Sequence, residues 1–352
     1  MQNRHGNIEG LDTLRAIAAI GVITIHISTP VVKMAYGGNM AYWWIGNVMD
    51  SAVRFAVPVF LMLSGATMLG KEYGVWEFYK KRILRVLVPF LFWMLVYWIF
   101  RWTSLQADQQ PKEFHAIIKW AVNLFLSEGI SKHFWYVYMI LFLYLFVPLL
   151  GKGLRKLPFP VILYLLFGWI ILTFSLRNVP ANFYCWSNHY WAKLLGYSQF
   201  SGYLVLGFYL SKLNVMTNKL RGFAGLFFVL TIALSAVGTY LLSKHAHVLN
   251  LDLYGNTSLN TILQSTAIFL LIKDSHIHNQ YLLPIQRGIS SYSYGIYLSH
   301  IMIIGIFFQH GIFWTMAYPL VSLPLILLLT LLTSMLVIFI LRKMPYGKYI
   351  SG

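Results

Sequence analysis

The sequence predicts an all-α, polytopic membrane helix bundle of about ten transmembrane helices, with both termini cytoplasmic. Three observations carry that expectation. Of the 352 residues, 58% are hydrophobic and only 11% charged, whereas a soluble protein of this size holds about a quarter charged residues. The apolar residues gather in runs of about twenty, enough to cross a hydrocarbon core of about 30 Å. Lys and Arg sit in short clusters between those runs, as topology signals do. The same clustering argues against nucleic acid as the partner behind the formal net charge of +17; membrane lipids are the expected neighbours. The single cysteine, Cys185, excludes an intramolecular disulfide and a thiolate metal site.

Candidate spans fall near 11–30, 42–69, 82–103, 135–150, 160–176, 194–212, 222–242, 258–273, 289–310 and 319–341. The first carries a charge near its start and no small-x-small cleavage site follows, so it reads as a retained helix. The second is long, with an expected tilt or kink at Pro58. With the N-terminus inside, the inner segments hold 18 Lys and Arg and the outer segments 8, while Arg54 stays within a span. That asymmetry orients the bundle. The longest outer connection runs from about Ser104 to Phe134. Within it Phe114, Ile117, Ile118, Ala121, Val122 and Phe125 recur at helical spacing, predicting an amphipathic interfacial helix near 113–126. It serves either as a strut or as a lid over an outward-facing site. No repeat, low-complexity tract or soluble domain interrupts the chain, so residues 1–352 read as one membrane domain.

The first span, "GLDTLRAIAAIGVITIHIS", keeps Asp12, Arg15 and His26 on one face together with Ala19 and Val22, within a sector of roughly 80°. Ionisable groups inside a membrane are costly and mark pathways or reaction centres. Asp12 reads as a helix cap, and Arg15 as a side chain able to snorkel to headgroups. His26 lies deeper, with Ile on both sides. It is either a structural hydrogen-bonding group or a general base toward a hydroxyl. Asp50 and Arg54 are four residues apart and can pair on one face; they form either a self-neutralised strut or part of a binding site. Ser64 and Gly65 form a small pair that permits close helix approach.

In "FYKKRILRVLVPF", the basic cluster of Lys80, Lys81, Arg82 and Arg85 anchors the third span at the headgroups. Arg82 and Arg85, three apart, also share a face and can clamp a phosphorylated ligand. The ninth span, "ISSYSYGIYLSH", places four Ser and three Tyr before His300, so it is expected to line a polar cavity. His300 there is either catalytic or merely hydrogen-bonded.

Taken together, "LDTLRAIAAIGVITIH", "VPVFLMLSG", "KRILRVLVP", "FWYVYMILFLYLFVP" and "SYSYGIYLSH" resemble the acyltransferase-3 family of integral-membrane O-acyltransferases, in order and over essentially the whole chain. The chain is similar to the small members without a fused extracytoplasmic esterase-like domain, among them enterobacterial common antigen O-acetyltransferases. The resemblance implies a multi-pass protein of the bacterial inner membrane. Its implied activity is transfer of an acyl group, usually acetyl from acetyl-CoA, to a hydroxyl of a cell-surface or lipid-linked glycan. It implies that His26 is catalytic, as base or transient acyl carrier. It also implies that Arg15, Arg82 and Arg85 bind the donor, whose phosphates the Arg82–Arg85 pair would hold. Where some members carry Trp before the second Arg, this chain has Leu84; Val59 and Phe60 stand where a double Phe is common. Asp50, Arg54 and His300 are further candidates for substrate contact, and no metal is expected.

Arg15 and His26 are eleven residues apart, about 16 Å along a helix at 1.5 Å per residue. A donor held at the cytoplasmic arginines could therefore reach up to His26. The competing expectation is a transporter or flippase for a glycan or lipid-linked sugar, with His26, Asp50 and Arg54 as a polar relay.

Overall fold

In the computed structural model, the described residues are 2–104, 113–126, 130–177, 196–213, 217–275 and 279–352. Cys185, Lys112, Lys193 and the start of the predicted span at 194–212 lie outside them. Among the described residues the chain is helical without strands, and every predicted span holds a helix. These are α1 (Gln2–Ala35), α2 (Met40–Ala52), α3 (Ala56–Met68), α4 (Val75–Ser104), α5 (Phe114–Leu126), α6 (Trp135–Leu154) and α7 (Phe159–Arg177). They continue with α8 (Ser201–Lys212), α9 (Asn218–Ala246), α10 (Leu259–Ile272), α11 (Leu282–Gln309), α12 (Pro319–Lys343) and the short α13 (Gly347–Ile350).

Seven segments among the described residues are long and apolar enough to cross a membrane. The polytopic bundle stands, and α7, α8 and α10 are the shorter helices at three of the predicted spans. Burial supplies the reason in α10, where Asn260, Thr261, Gln264 and Ser265 are all enclosed by protein. A helix sheathed by its neighbours need not match the lipid thickness.

The helices are polar inside and apolar outside, as a bilayer requires. Along α12, Ser322, Ile326, Thr330, Ser334 and Ile338 are buried, while Leu325, Leu328, Leu332 and Leu336 are exposed. Both stripes follow helical spacing, so one face meets the bundle and the other meets lipid. Helix α1 sits at the centre, packed against α2, α3, α10, α11 and α12.

Two expectations need correction. Helix α1 begins at Gln2, so Asp12 lies inside a continuous helix and does not cap it. The second span breaks at Val53–Phe55 and not at Pro58. Pro58 is the third residue of α3, within the first turn, where a backbone N–H has no helical partner to lose. The break instead surrounds Arg54. Close approach at Gly65 does occur: a Cβ there would strike the Leu204 carbonyl of α8, and one at Gly207 of α8 would strike the Met62 backbone. Two glycines thus let α3 and α8 pack backbone to backbone.

Candidate active site

Arg15, Arg82 and Arg85 meet. From α1 and α4 they line one cavity of about 400 Å³, together with Ser64 and Thr67 of α3, Tyr136 and Tyr144 of α6, and Ser290, Ser291, Ser293, Tyr294 and Tyr297 of α11. Three of the four serines and two of the three tyrosines of "ISSYSYGIYLSH" therefore face this cavity; Tyr292 lies against Arg342 and Ser299 donates to the Gly295 carbonyl instead. Leu84, between the two arginines, is exposed on the opposite side. Gly352 also lines this cavity, so the last residue lies at the Arg15 end of α1.

The three guanidiniums are held differently. Arg15 Nη1 donates to Asp12 Oδ1 at 2.5 Å and to Ser290 Oγ at 3.3 Å, and Ser290 donates to the same carboxylate at 2.9 Å. Asp12 thus fixes Arg15 at the wall. Arg82 and Arg85 make no ion pair among the described residues, which leaves two forks of donors facing the same space. Their i, i+3 spacing on α4 puts both on one face.

Phe60, Tyr136 and Tyr297 also line the cavity, their rings following one another at 6.4 Å and 5.4 Å. Next to Tyr297 stand three histidines. His26 of α1, His133 of the short turn Lys132–Phe134 before α6, and His300 of α11 form a triangle. Ring centroids are 5.1 Å apart for His26–His300, 5.2 Å for His133–His300 and 6.4 Å for His26–His133. Tyr297 bridges the two compartments: its ring lies 5.3 Å from that of His133 and 5.9 Å from that of His300, and its hydroxyl donates to the His133 carbonyl. His133 and His300 are buried, while His26 is half-buried.

Among the described residues no group of His, Cys, Asp or Glu is placed to hold a metal ion. His300 Nδ1 donates to the carbonyls of Tyr297 at 2.7 Å and Ile296 at 3.1 Å. His133 Nδ1 pairs with Ser131 Oγ at 2.7 Å.

Asp50 and Arg54 do pair, as their spacing predicts. Both are buried, and the pair is tied down: Thr29 donates to Asp50 Oδ2 at 2.9 Å, Arg54 Nη1 donates to the Tyr254 carbonyl at 3.2 Å, and its guanidinium lies 4.0 Å from the Tyr254 ring centroid. Ser64 donates to the Phe60 carbonyl at 3.1 Å and lies 3.4 Å from the Tyr144 hydroxyl, with no base beside it to make it a nucleophile.

Sequence reading missed His133. It stands immediately before an apolar run, where a polar residue passes for the end of a loop. Its one signal is its place beside "FWYVY", among aromatics that face inward. A family model described as an acyltransferase domain matches residues 8–343. No curated protein and no solved structure matches the chain.

Proposed function

Because the chain belongs to the acyltransferase-3 family and is a membrane acyltransferase, we propose that it moves an acetyl group from cytoplasmic acetyl-CoA to a hydroxyl of a cell-surface or lipid-linked glycan, in the bacterial inner membrane. One observation carries the reading. The arginine-lined cavity and the imidazole cluster share helix α1, which carries both Arg15 and His26, and Tyr297 lines the cavity while its ring stands against His133 and His300.

A phosphorylated, thioester-bearing donor suits that arrangement. Its phosphates would pair with Arg82 and Arg85, with Arg15 as third cation, and charge-assisted bonds of this kind are the strong ones. Its acyl end would extend along α1 past the tyrosines. His26 then takes the proton of the acceptor hydroxyl, and the oxygen attacks the thioester carbon. The carbon–sulfur bond breaks, and the thiolate leaves with the proton from His26. The products are the ester and the free thiol. In the alternative order His26 attacks the thioester carbon and expels the thiolate, which takes the imidazole proton; the acyl-imidazole then gives its acyl group to the hydroxyl oxygen, whose proton passes to the freed imidazole.

The transport reading has no comparable support, because Asp50 and Arg54 are committed to each other, to Thr29 and to Tyr254. The test uses purified protein, acetyl-CoA labelled in the acetyl group and a cell-envelope glycan extract. Label is expected in the glycan fraction, dependent on His26. Glycan translocation without dependence on acetyl-CoA would restore the transporter.

A further inference from the structure

Part of the wall around Arg15, Arg82 and Arg85 comes from outside the long helices. Gly352 lines that cavity, and the stretch leading to it is closely fitted to α11. Ser351 is fully buried. A Cβ on Gly295 of α11 would strike the Ser351 carbonyl, and one on Gly352 would stand 2.8 Å from the Gly295 nitrogen. Main chain thus lies against main chain, as it does at Gly65 and Gly207. On its other side α13 packs against α4, the helix of Arg82 and Arg85. Residues 347–352 therefore form a wedge between α4 and α11, beside the point where the Tyr294 hydroxyl donates to the Val86 carbonyl at 2.8 Å.

One side chain holds the wedge in place. Arg342, in the last turn of α12, donates from Nη2 to the main-chain oxygens of Ser291 and Gly352, each at 2.8 Å, and from Nε to Ser351 Oγ at 3.3 Å. Its guanidinium carbon stands 4.4 Å from the centre of the Tyr292 ring. A topology signal needs only the charge. This arginine commits its donors to the wedge and to α11, a task for a planar fork that also stacks on an aromatic face, where lysine is no equivalent. Arg342 itself does not line the cavity.

We infer that Arg342 is a positioning residue for the donor. By fixing residues 347–352 between α4 and α11, it sets the separation between Arg82 and Arg85 on one side and Ser290, Ser291 and Ser293 on the other. This inference rests on the acyltransferase reading above.

The test measures acetyl-CoA affinity by titration, together with KM and kcat in the labelled assay, on the purified full chain. Arg342→Ala weakens acetyl-CoA binding and raises its KM roughly tenfold, the scale of one charge-assisted hydrogen bond. Its kcat at saturating donor and its KM for the glycan extract stay native. Gly295→Ala displaces the wedge from the α11 side with Arg342 intact, and gives the same split. Arg342→Lys keeps the charge at the end of α12 but not the fork, and follows Arg342→Ala. Native acetyl-CoA affinity in folded Arg342→Ala or Arg342→Lys would overturn the inference, reducing Arg342 to a topology signal. So would a fall in kcat and in affinity for both substrates alike, the mark of a general structural role. If Arg342→Ala does not fold, Arg342→Lys and Gly295→Ala decide. Failure of the native protein to bind acetyl-CoA or to transfer label overturns the acyltransferase reading itself, and this inference with it.

Discussion

Arg82 and Arg85 reach the cavity from adjacent turns of α4, while Leu84 between them points outward. Neither guanidinium is neutralised by a carboxylate among the described residues, so each is available to an anionic donor. Arg82→Ala or Arg85→Ala should each raise the KM for acetyl-CoA by roughly tenfold, the equivalent of one charge-assisted hydrogen bond. Activity at saturating donor should change less. Asp50 behaves otherwise. It is fully buried and its charge is matched by Arg54, so Asp50→Ala should cost about 3 kcal/mol by stranding the guanidinium. The measurement is thermal unfolding in detergent, and an Asp50→Ala/Arg54→Met double variant should recover part of the loss. Most of these residues were legible in the sequence, because a charge in an apolar run needs a reason to be there. His133 was not, since the end of a span is where a polar residue is unremarkable.

At the scale of elements, the approach of α3 to α8 is the most demanding contact. Gly65 and Gly207 each touch the opposing backbone, so Gly65→Leu should destabilise by about 1–3 kcal/mol through overpacking. Gly153→Ala in α6 is the control: a Cβ there meets nothing within 4 Å. It should be neutral or stabilise slightly, because alanine gives up less backbone freedom than glycine in a helix. The sequence pointed to Gly65 through its small neighbour Ser64, yet gave no hint of its partner on α8, since pairing between distant helices leaves no local pattern. It also placed the bend of the second span at Pro58. Proline disrupts a helix only where it removes a needed N–H, and at the third position of α3 it removes none.

For the whole molecule, hydropathy and charge gave the bundle and the order of its helices. An apolar window cannot tell a helix facing lipid from one enclosed by protein, such as α10, so the count of crossings was less legible than the bundle itself. From the asymmetry of Lys and Arg, the arginine cavity is expected to face the cytoplasm. Tags at either terminus should therefore resist a membrane-impermeant reagent in right-side-out spheroplasts and react in inverted vesicles. Labelling of either terminus from outside would reverse the direction of donor entry.

The account as a whole turns on His26, the half-buried member of the imidazole triangle on the helix that also carries Arg15. The most direct measurement is transfer of labelled acetyl from acetyl-CoA to envelope glycan by purified native protein and by His26→Ala, with both shown to be monodisperse and equally able to bind acetyl-CoA. The prediction is loss of glycan labelling in His26→Ala by at least about a hundredfold, the scale of general-base catalysis, with donor binding intact. Transfer by His26→Ala at the native rate would contradict it.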